Sequence, residues 1–231
     1  MPYRFIYFDL DDTLLNHRKA EKLALEQIWK EFDLKALATV EQLQDVYHHI
    51  NVFLWEMYGR GEIDRDTLQR TRFERTLFRL NSDLNWKTVG DRYMQFYQQF
   101  WEWLPGAEEA FQEILNTYPV GILTNGFAET QRVKLDKFGL NSHQIITLIS
   151  EDVGVMKPQP GIFDAATRIS GVKANEILYV GDSYSSDVLG GTSFGWDVAW
   201  YTKETDEKKR AVATFCFDDF PQLLEFIKSQ A

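Results

Sequence analysis

The sequence of 231 residues has little cysteine, little positive charge and no long apolar run. Its single cysteine, Cys216, cannot form an internal disulfide, which excludes a small scaffold stapled by disulfides. Lys and Arg number 25 against 35 Asp and Glu, so the net charge is −10. Binding along a nucleic acid needs clustered positive charge, so we expect no nucleic-acid partner. A small phosphorylated ligand stays compatible with this charge, because one local site or a metal ion can offset it.

Signals for export and for membrane insertion are also missing. No stretch approaches the roughly 18 apolar residues of a membrane-spanning helix. The apolar run from Phe5 to Phe8 is too short for a signal peptide and is followed by acids. We therefore expect a soluble, cytoplasmic protein without a membrane partner, present as a monomer or a weak homodimer.

What the sequence does have is apolar bulk, with 44% hydrophobic and 15% aromatic residues, which predicts a packed core. Five short runs rich in β-branched or aromatic residues lack polar alternation, as is typical of strands buried on both faces. Helical periodicity separates the later runs, and this alternation predicts an α/β fold with a doubly wound parallel sheet. The runs are Phe5 to Phe8, Val120 to Leu123, Ile145 to Ile149, Ile177 to Val180 and Val198 to Tyr201.

The segment between the first and second runs shows only helical periodicity. A crossover between parallel strands needs a single helix, whereas this segment has room for four. The pattern therefore predicts a four-helix cap at residues 16–102, inserted into an α/β core formed by residues 1–15 and 103–231. The predicted cap helices are Ala20 to Phe32, Val40 to Tyr58, Asp64 to Leu80 and Lys87 to Trp101.

Three carboxylates follow the first run directly, at Asp9, Asp11 and Asp12. Open α/β sheets bind ligands at the carboxyl ends of their strands, and a cation would relieve the repulsion among these acids. Asp9 and Asp11 alternate with Leu10, so in an extended chain they point to the same side. One of them would bind a metal and attack, and the other would handle a proton. The alternative is an Asx-rich turn that caps a helix.

Two further polar motifs follow the predicted strands. Thr124, Asn125 and Gly126 offer a hydroxyl, an amide and backbone N–H groups to an anion, although an ordinary Asn-Gly turn is the alternative. Lys157 precedes a predicted helix, where it would hold phosphate and carboxylate together. The alternative for Lys157 is a solvated loop lysine.

The fourth predicted strand ends in another acidic motif, with Asp182 and then Asp187. Asp182 would complete an Mg²⁺ site with the first motif, because Mg²⁺ prefers carboxylates and waters. Asp187 belongs to the same acidic motif, and the alternative for it is an acid favoured by the dipole at a helix N-terminus.

Together the four motifs resemble those of the haloacid dehalogenase superfamily, and the resemblance covers the whole chain, including the helical insertion. The return of the chain at Leu104-Pro105-Gly106 and the form of the second motif are most similar to pyrimidine 5′-nucleotidase-like phosphatases with a four-helix cap. The motifs stand here as Asp9-Leu10-Asp11-Asp12-Thr13-Leu14, Thr124-Asn125-Gly126, Lys157-Pro158, and Gly181-Asp182-Ser183 with Asp187.

The resemblance implies a Mg²⁺-dependent phosphomonoester hydrolase that acts through an aspartyl-phosphate, with nucleoside 5′-monophosphates as substrates. It implies that Asp9 is the nucleophile and that Asp11 protonates the leaving group and then activates water. Thr124 and Asn125 are implied to bind the transferring phosphoryl group, and Lys157 to bind and neutralise it.

The resemblance also implies a ligand set for Mg²⁺. The carboxylate of Asp9, the backbone carbonyl of Asp11 and the carboxylate of Asp182 hold the ion, and Asp187 supports them from the outer shell.

Other members of the superfamily give the alternatives. A phosphatase for a sugar phosphate or another small phosphorylated metabolite fits the same motifs. A phosphomutase usually has glycine where this chain has Asp12, and a dehalogenase lacks an acid at the position of Asp11. A phosphate-binding regulator without turnover is an alternative of a different class.

Overall fold

The computed structural model describes residues 3–230. It divides into two compact units, one formed by the residues up to Asn16 and from Trp103 onward, and the other by His17–Glu102. We refer to them as the sheet unit and the helical unit. Asn16, which the sequence pattern places in the cap, lies in the sheet unit.

The sheet unit contains a six-stranded sheet in which all neighbouring strands are parallel, in the order β3-β2-β1-β4-β5-β6. The predicted fold class is confirmed, and all five apolar runs are strands. Strand β6 has only three residues and was missed, because so short a segment carries no periodicity. The strands are β1 Phe5–Phe8, β2 Val120–Thr124, β3 Ile145–Ile149, β4 Ile177–Gly181, β5 Asp197–Tyr201 and β6 Phe215–Phe217.

The helical unit consists of four long helices and one short 3₁₀ turn at Leu34–Ala36. Three of these helices begin at side-chain caps. The side chains of Thr39, Asp64 and Asn85 accept hydrogen bonds from backbone N–H groups in the first turn, which the helix itself leaves unpaired. The helices are α1 His17–Glu31, α2 Val40–Gly59, α3 Arg65–Arg79 and α4 Trp86–Gln99.

The remaining helices connect or flank the strands of the sheet unit. After β4 the chain also forms a π-helical turn at Tyr184–Val188. The helices are α5 Ala107–Leu115, α6 Ala128–Lys137, α7 Ser150–Val153, α8 Pro160–Ser170, α9 Leu189–Phe194, α10 Glu207–Arg210 and α11 Phe220–Ser229.

Strand β1 is buried on both faces because successive side chains enter different cores. Ile6 and Phe8 belong to one hydrophobic cluster, which includes Phe111 of α5. Tyr7 belongs to the other cluster, with Phe163 of α8. Each face of the sheet is thus covered by helices, which explains why the apolar runs do not alternate with polar residues.

The order of the strands reverses between β1 and β4, which are neighbours in the sheet although they are distant in sequence. Phe8 at the end of β1 pairs in register with Val180 of β4. The first and fourth motifs therefore leave the sheet side by side, at the kind of position where doubly wound sheets bind ligands.

Within residues 3–230, no helix combines the length and the apolar character that crossing a bilayer requires.

Candidate active site

Asp9 and Lys157 form the centre of the candidate site. The Asp9 N–H donates to the carbonyl of Val180, which extends the β1–β4 pairing by one residue. Lys157 Nζ lies 2.6 Å from Asp9 Oδ1, 2.8 Å from Asp187 Oδ1 and 2.6 Å from the Tyr179 hydroxyl oxygen. Lys157 is buried, so the alternative of a solvated loop lysine is wrong.

The side chain of Asn125 fixes the loop that carries Lys157. Its Nδ2 donates to the carbonyl of Lys157 at 2.9 Å, and its Oδ1 accepts from the Lys157 N–H at 2.9 Å. These two hydrogen bonds, from one side-chain amide to the backbone N–H and carbonyl of one residue, hold the loop in a defined position. The second motif thus positions the lysine of the third.

Burial and neighbouring charges shift the ionisation of this centre. Burial disfavours the charged ammonium of Lys157, but the carboxylates of Asp187 and Asp9 more than offset this and raise the pKa of Lys157. Burial raises the pKa of Asp9 to about 7, against the opposing charge of Lys157 and with that of Asp187. The pKa of Asp182 is raised well above its usual range, first by burial and then by Asp187 and Asp9.

Three of these acids meet closely enough to share a cation. One carboxylate oxygen from each of Asp9, Asp182 and Asp187 lies within 4.8 Å of the others. Burial is the first cause of the raised pKa values of Asp9 and Asp182, the crowding of the acids adds to it, and a divalent cation would relieve that crowding. The donor set therefore fits Mg²⁺, which prefers carboxylate oxygens.

Asp187 is the fully buried member of this group. Its Oδ1 accepts from Lys157 and from the Tyr179 hydroxyl, and its Oδ2 accepts from the Ser183 N–H at 2.9 Å. A Cβ atom on Gly181 would lie 2.5 Å from Asp187 Oδ2, so the approach of this carboxylate requires glycine there. These contacts suit a residue that supports the other acids.

Asp11 has a different environment. Among residues 3–230, its carboxylate is not part of the acidic group of Asp9, Asp182 and Asp187. Instead it accepts hydrogen bonds from two side chains of α6, Gln131 and Lys134. Binding of a metal by the backbone carbonyl of Asp11 therefore stays a prediction.

Sequence reasoning missed Gln131 and Lys134. Both are buried, and Gln131 also donates to the hydroxyl of Thr124 at 2.8 Å. On sequence, polar residues of a helix are taken as its solvent face. The only signal was their spacing of three residues, which places them on one face of the helix.

The helical unit has a polar cluster of its own. Glu21 of α1 is only 3% exposed, yet its carboxylate contacts His48 Nδ1 at 3.0 Å and His17 Nε2 at 3.8 Å. The amide of Asn51 donates to the same carboxylate at 3.3 Å. Burial favours the neutral form of Glu21, but the hydrogen bond with His48 and the electrostatic interactions with His17, His48 and Arg72 lower its pKa below the usual value.

Comparison with known proteins identifies the family. The haloacid dehalogenase-like hydrolase family matches residues 6–201. Pyrimidine 5′-nucleotidase YjjG of Escherichia coli (strain K12) is 33% identical over 92% of each chain. Pyrimidine 5′-nucleotidase PynA of Streptococcus pneumoniae is 30% identical over 87% of this chain and 84% of its own.

Among solved structures, the putative HAD-hydrolase YfnB of Bacillus subtilis bound to magnesium has a TM-score of 0.86 and 26% identity, over 99% of this chain and all of its own. The present chain therefore belongs to the haloacid dehalogenase-like hydrolases and is an enzyme of that class. The predicted family and the predicted similarity to pyrimidine 5′-nucleotidases are confirmed.

Proposed function

We propose that this enzyme is a phosphomonoester hydrolase that forms an aspartyl-phosphate on Asp9 and acts on nucleoside 5′-monophosphates. The observation that carries the proposal is the contact of 2.6 Å between Lys157 Nζ and Asp9 Oδ1, beside the carboxylate of Asp182. A carboxylate can attack a phosphate dianion only if positive charge holds the two anions together.

In the proposed first step, an oxygen of Asp9 attacks phosphorus and the bond to the ester oxygen breaks. Lys157 neutralises the charge of the phosphoryl group while it is transferred. The Thr124 hydroxyl and the Asn125 backbone N–H would bind the phosphoryl oxygens. These roles are consistent with the places of the two residues, since Thr124 is the last residue of β2 and Asn125 follows it, and β2 lies beside β1.

Asp11 serves as the acid and base in the proposal. Its proton passes to the departing ester oxygen, which leaves as an alcohol. The Asp11 carboxylate then takes a proton from water as the water oxygen attacks phosphorus, the Asp9–phosphoryl bond breaks and inorganic phosphate is released. Asp11 ends the cycle protonated, as it began.

The carboxylates of Asp9 and Asp182, with the Asp11 backbone carbonyl, would hold Mg²⁺, and Asp187 would support them. When bound, the ion supplies positive charge between the attacking carboxylate and the phosphoryl oxygens. The crowding of these carboxylates supports this assignment, because they repel one another without a cation.

The two relatives named as pyrimidine 5′-nucleotidases support nucleotides as the substrate class. A panel of esters with the purified protein and Mg²⁺ tests this, with released phosphate as the measurement. Pyrimidine nucleoside monophosphates should give a higher kcat/KM than purine nucleotides, sugar phosphates and small phosphorylated acids, and Asp9→Asn should release none.

Two results would change the proposal. Preference for a sugar phosphate would contradict the proposed substrate class but would leave the proposed phosphomonoester hydrolysis in place. Release of halide from a 2-haloacid, with no phosphate from any ester, would contradict the reaction.

A further inference from the structure

Helix α6 donates to both oxygens of Asp11. Lys134 Nζ lies 2.6 Å from Asp11 Oδ1, and Gln131 Nε2 lies 2.9 Å from Asp11 Oδ2. Gln131 and Lys134 are three residues apart and therefore share one face of the helix. Two donors on two different oxygens fix the rotation of the carboxylate as well as its position.

Gln131 connects Asp11 to the second motif. The same Nε2 that donates to Asp11 also donates to Thr124 Oγ1 at 2.8 Å, and a side-chain amide has two hydrogens for two such bonds. A Cβ atom on Gly126 would lie 2.8 Å from Gln131 Nε2 and Cδ, so any larger residue there would displace the amide. The glycine of the second motif thus makes room for a side chain that reaches Asp11.

Burial separates this arrangement from an ordinary surface ion pair. The side chain of Lys134 is 2% exposed, whereas that of Asp11 is 24% exposed. Asp11 is exposed enough to be hydrated by water in place of these donors. Lys134 is buried where it contacts Asp11, and burying a charge is costly without a partner. A purely structural ion pair satisfies the burial of Lys134, but it does not account for the second donor, which is shared with Thr124.

We propose that Gln131 and Lys134 are positioning residues that orient the Asp11 carboxylate for its role as base, an inference that rests on the proposed phosphatase reaction. Both residues donate, so together they complement an unprotonated carboxylate, the form of Asp11 after its proton has gone to the leaving group. The orientation they impose serves the attack of water on the aspartyl-phosphate. Their loss should therefore slow hydrolysis of the phosphoenzyme more than its formation.

The test uses an aryl phosphate with an acidic phenol, which leaves without protonation. Lys134→Met keeps the length of the side chain and removes its charge, and Gln131→Leu removes the amide at similar volume. In both variants we expect a rapid burst of phenol, a slow steady state and accumulation of acid-stable phosphoenzyme. Misplacement of a reacting group costs up to about 10²-fold, which sets the expected fall in the rate of phosphoenzyme hydrolysis.

Two further variants complete the design. Lys134→Arg should restore part of the hydrolysis rate, because it returns a donor to Asp11. Lys137→Met is the matched control, since it removes an exposed lysine from the same helix and should leave both steps unchanged. If Lys134→Met does not fold, the measurement on Gln131→Leu tests the proposal.

Equal slowing of both steps, or of neither, in folded variants would overturn the positioning role while leaving the proposed function in place. A wild-type protein that releases no phosphate and forms no phosphoenzyme with any ester would overturn the proposed function and, with it, this inference.

Discussion

Lys157 Nζ contacts Asp9 Oδ1 at 2.6 Å, and both side chains are buried. The same ammonium contacts Asp187, so a single cation lies between two acids that would otherwise repel each other. A phosphate group that binds at Asp9 adds further negative charge beside these two acids. The reaction therefore depends on Lys157 twice, once for the integrity of the acidic group and once for the substrate.

Lys157→Met should lower kcat/KM for an aryl phosphate by at least about 10²–10³-fold, the usual cost of losing one preorganised electrostatic contact. Lys173→Met, at an exposed lysine of the same unit, is the control and should keep full activity. Circular dichroism and a thermal midpoint with Mg²⁺ should establish that the variant is folded. Full activity of folded Lys157→Met would show that the lysine does not serve the reaction.

Removal of metal is the second prediction. Because Asp9, Asp182 and Asp187 crowd together, we expect no turnover in excess chelator and recovery on addition of Mg²⁺. Ca²⁺ should inhibit, because it takes six to eight ligands in a looser geometry than Mg²⁺. Phosphate release is the measurement, and undiminished activity in excess chelator would contradict a metal-assisted reaction.

The arrangement of the sheet could be predicted from sequence because buried parallel strands form continuous apolar runs. The same reasoning located the polar residues that follow β1, β2 and β4, since acidic, hydroxyl and amide side chains directly after an apolar run are easily recognised in a sequence. It could not find β6, whose three residues Phe215–Phe217 are too few to show a period.

Buried polar residues on helices were beyond the same reasoning. Gln131 and Lys134 on α6 and Glu21 on α1 have the residue types of a solvent face, and nothing local marks them as buried. Their partners lie far away in sequence; Lys134 and Asp11, for example, are 123 positions apart. Only the folded chain brings such pairs together, so the donors to Asp11 emerged from the structure.

The third prediction concerns pH and the helical unit. The pKa of Glu21 in the folded protein is below its ordinary value of 4.5, so the folded state binds fewer protons than the unfolded state in this range. The contribution of Glu21 to the stability of the folded protein is therefore complete above about pH 4.5. It is lost as the pH falls through the lowered pKa. The groups that face Glu21 are His17, His48, Asn51 and Arg72.

Glu21→Gln should destabilise the protein by about 1.5–3 kcal/mol near pH 6, the usual worth of hydrogen bonds to a charged group. The difference from wild type should shrink as the pH falls below 4.5 and through the lowered pKa, where wild-type Glu21 becomes protonated. Unfolding in denaturant, followed across this range, provides the measurement. Glu26→Gln, at a partly exposed glutamate on the same helix, is the control, and a Glu21→Gln deficit independent of pH would contradict the charge argument.

The final prediction separates Asp9 from Asp11. Asp9→Asn keeps the shape of the side chain but removes the anionic nucleophile, so it should form no phosphoenzyme with any ester. Asp11→Asn keeps its backbone carbonyl but loses the proton that an alkoxide leaving group needs. Since general acid–base help is worth about 10²–10⁴-fold, this variant should be nearly inactive on a nucleotide.

An acidic phenol leaves without protonation, so Asp11→Asn should still form the phosphoenzyme from an aryl phosphate. Without a base for the attacking water, that intermediate should accumulate, and rapid-quench trapping followed by peptide mapping should place the label on Asp9. The Lys134 and Gln131 variants should show the same imbalance in a milder form, because they keep the base and loosen only its orientation. Labelling of a different aspartate in Asp9→Asn would show that the nucleophile has been assigned to the wrong residue.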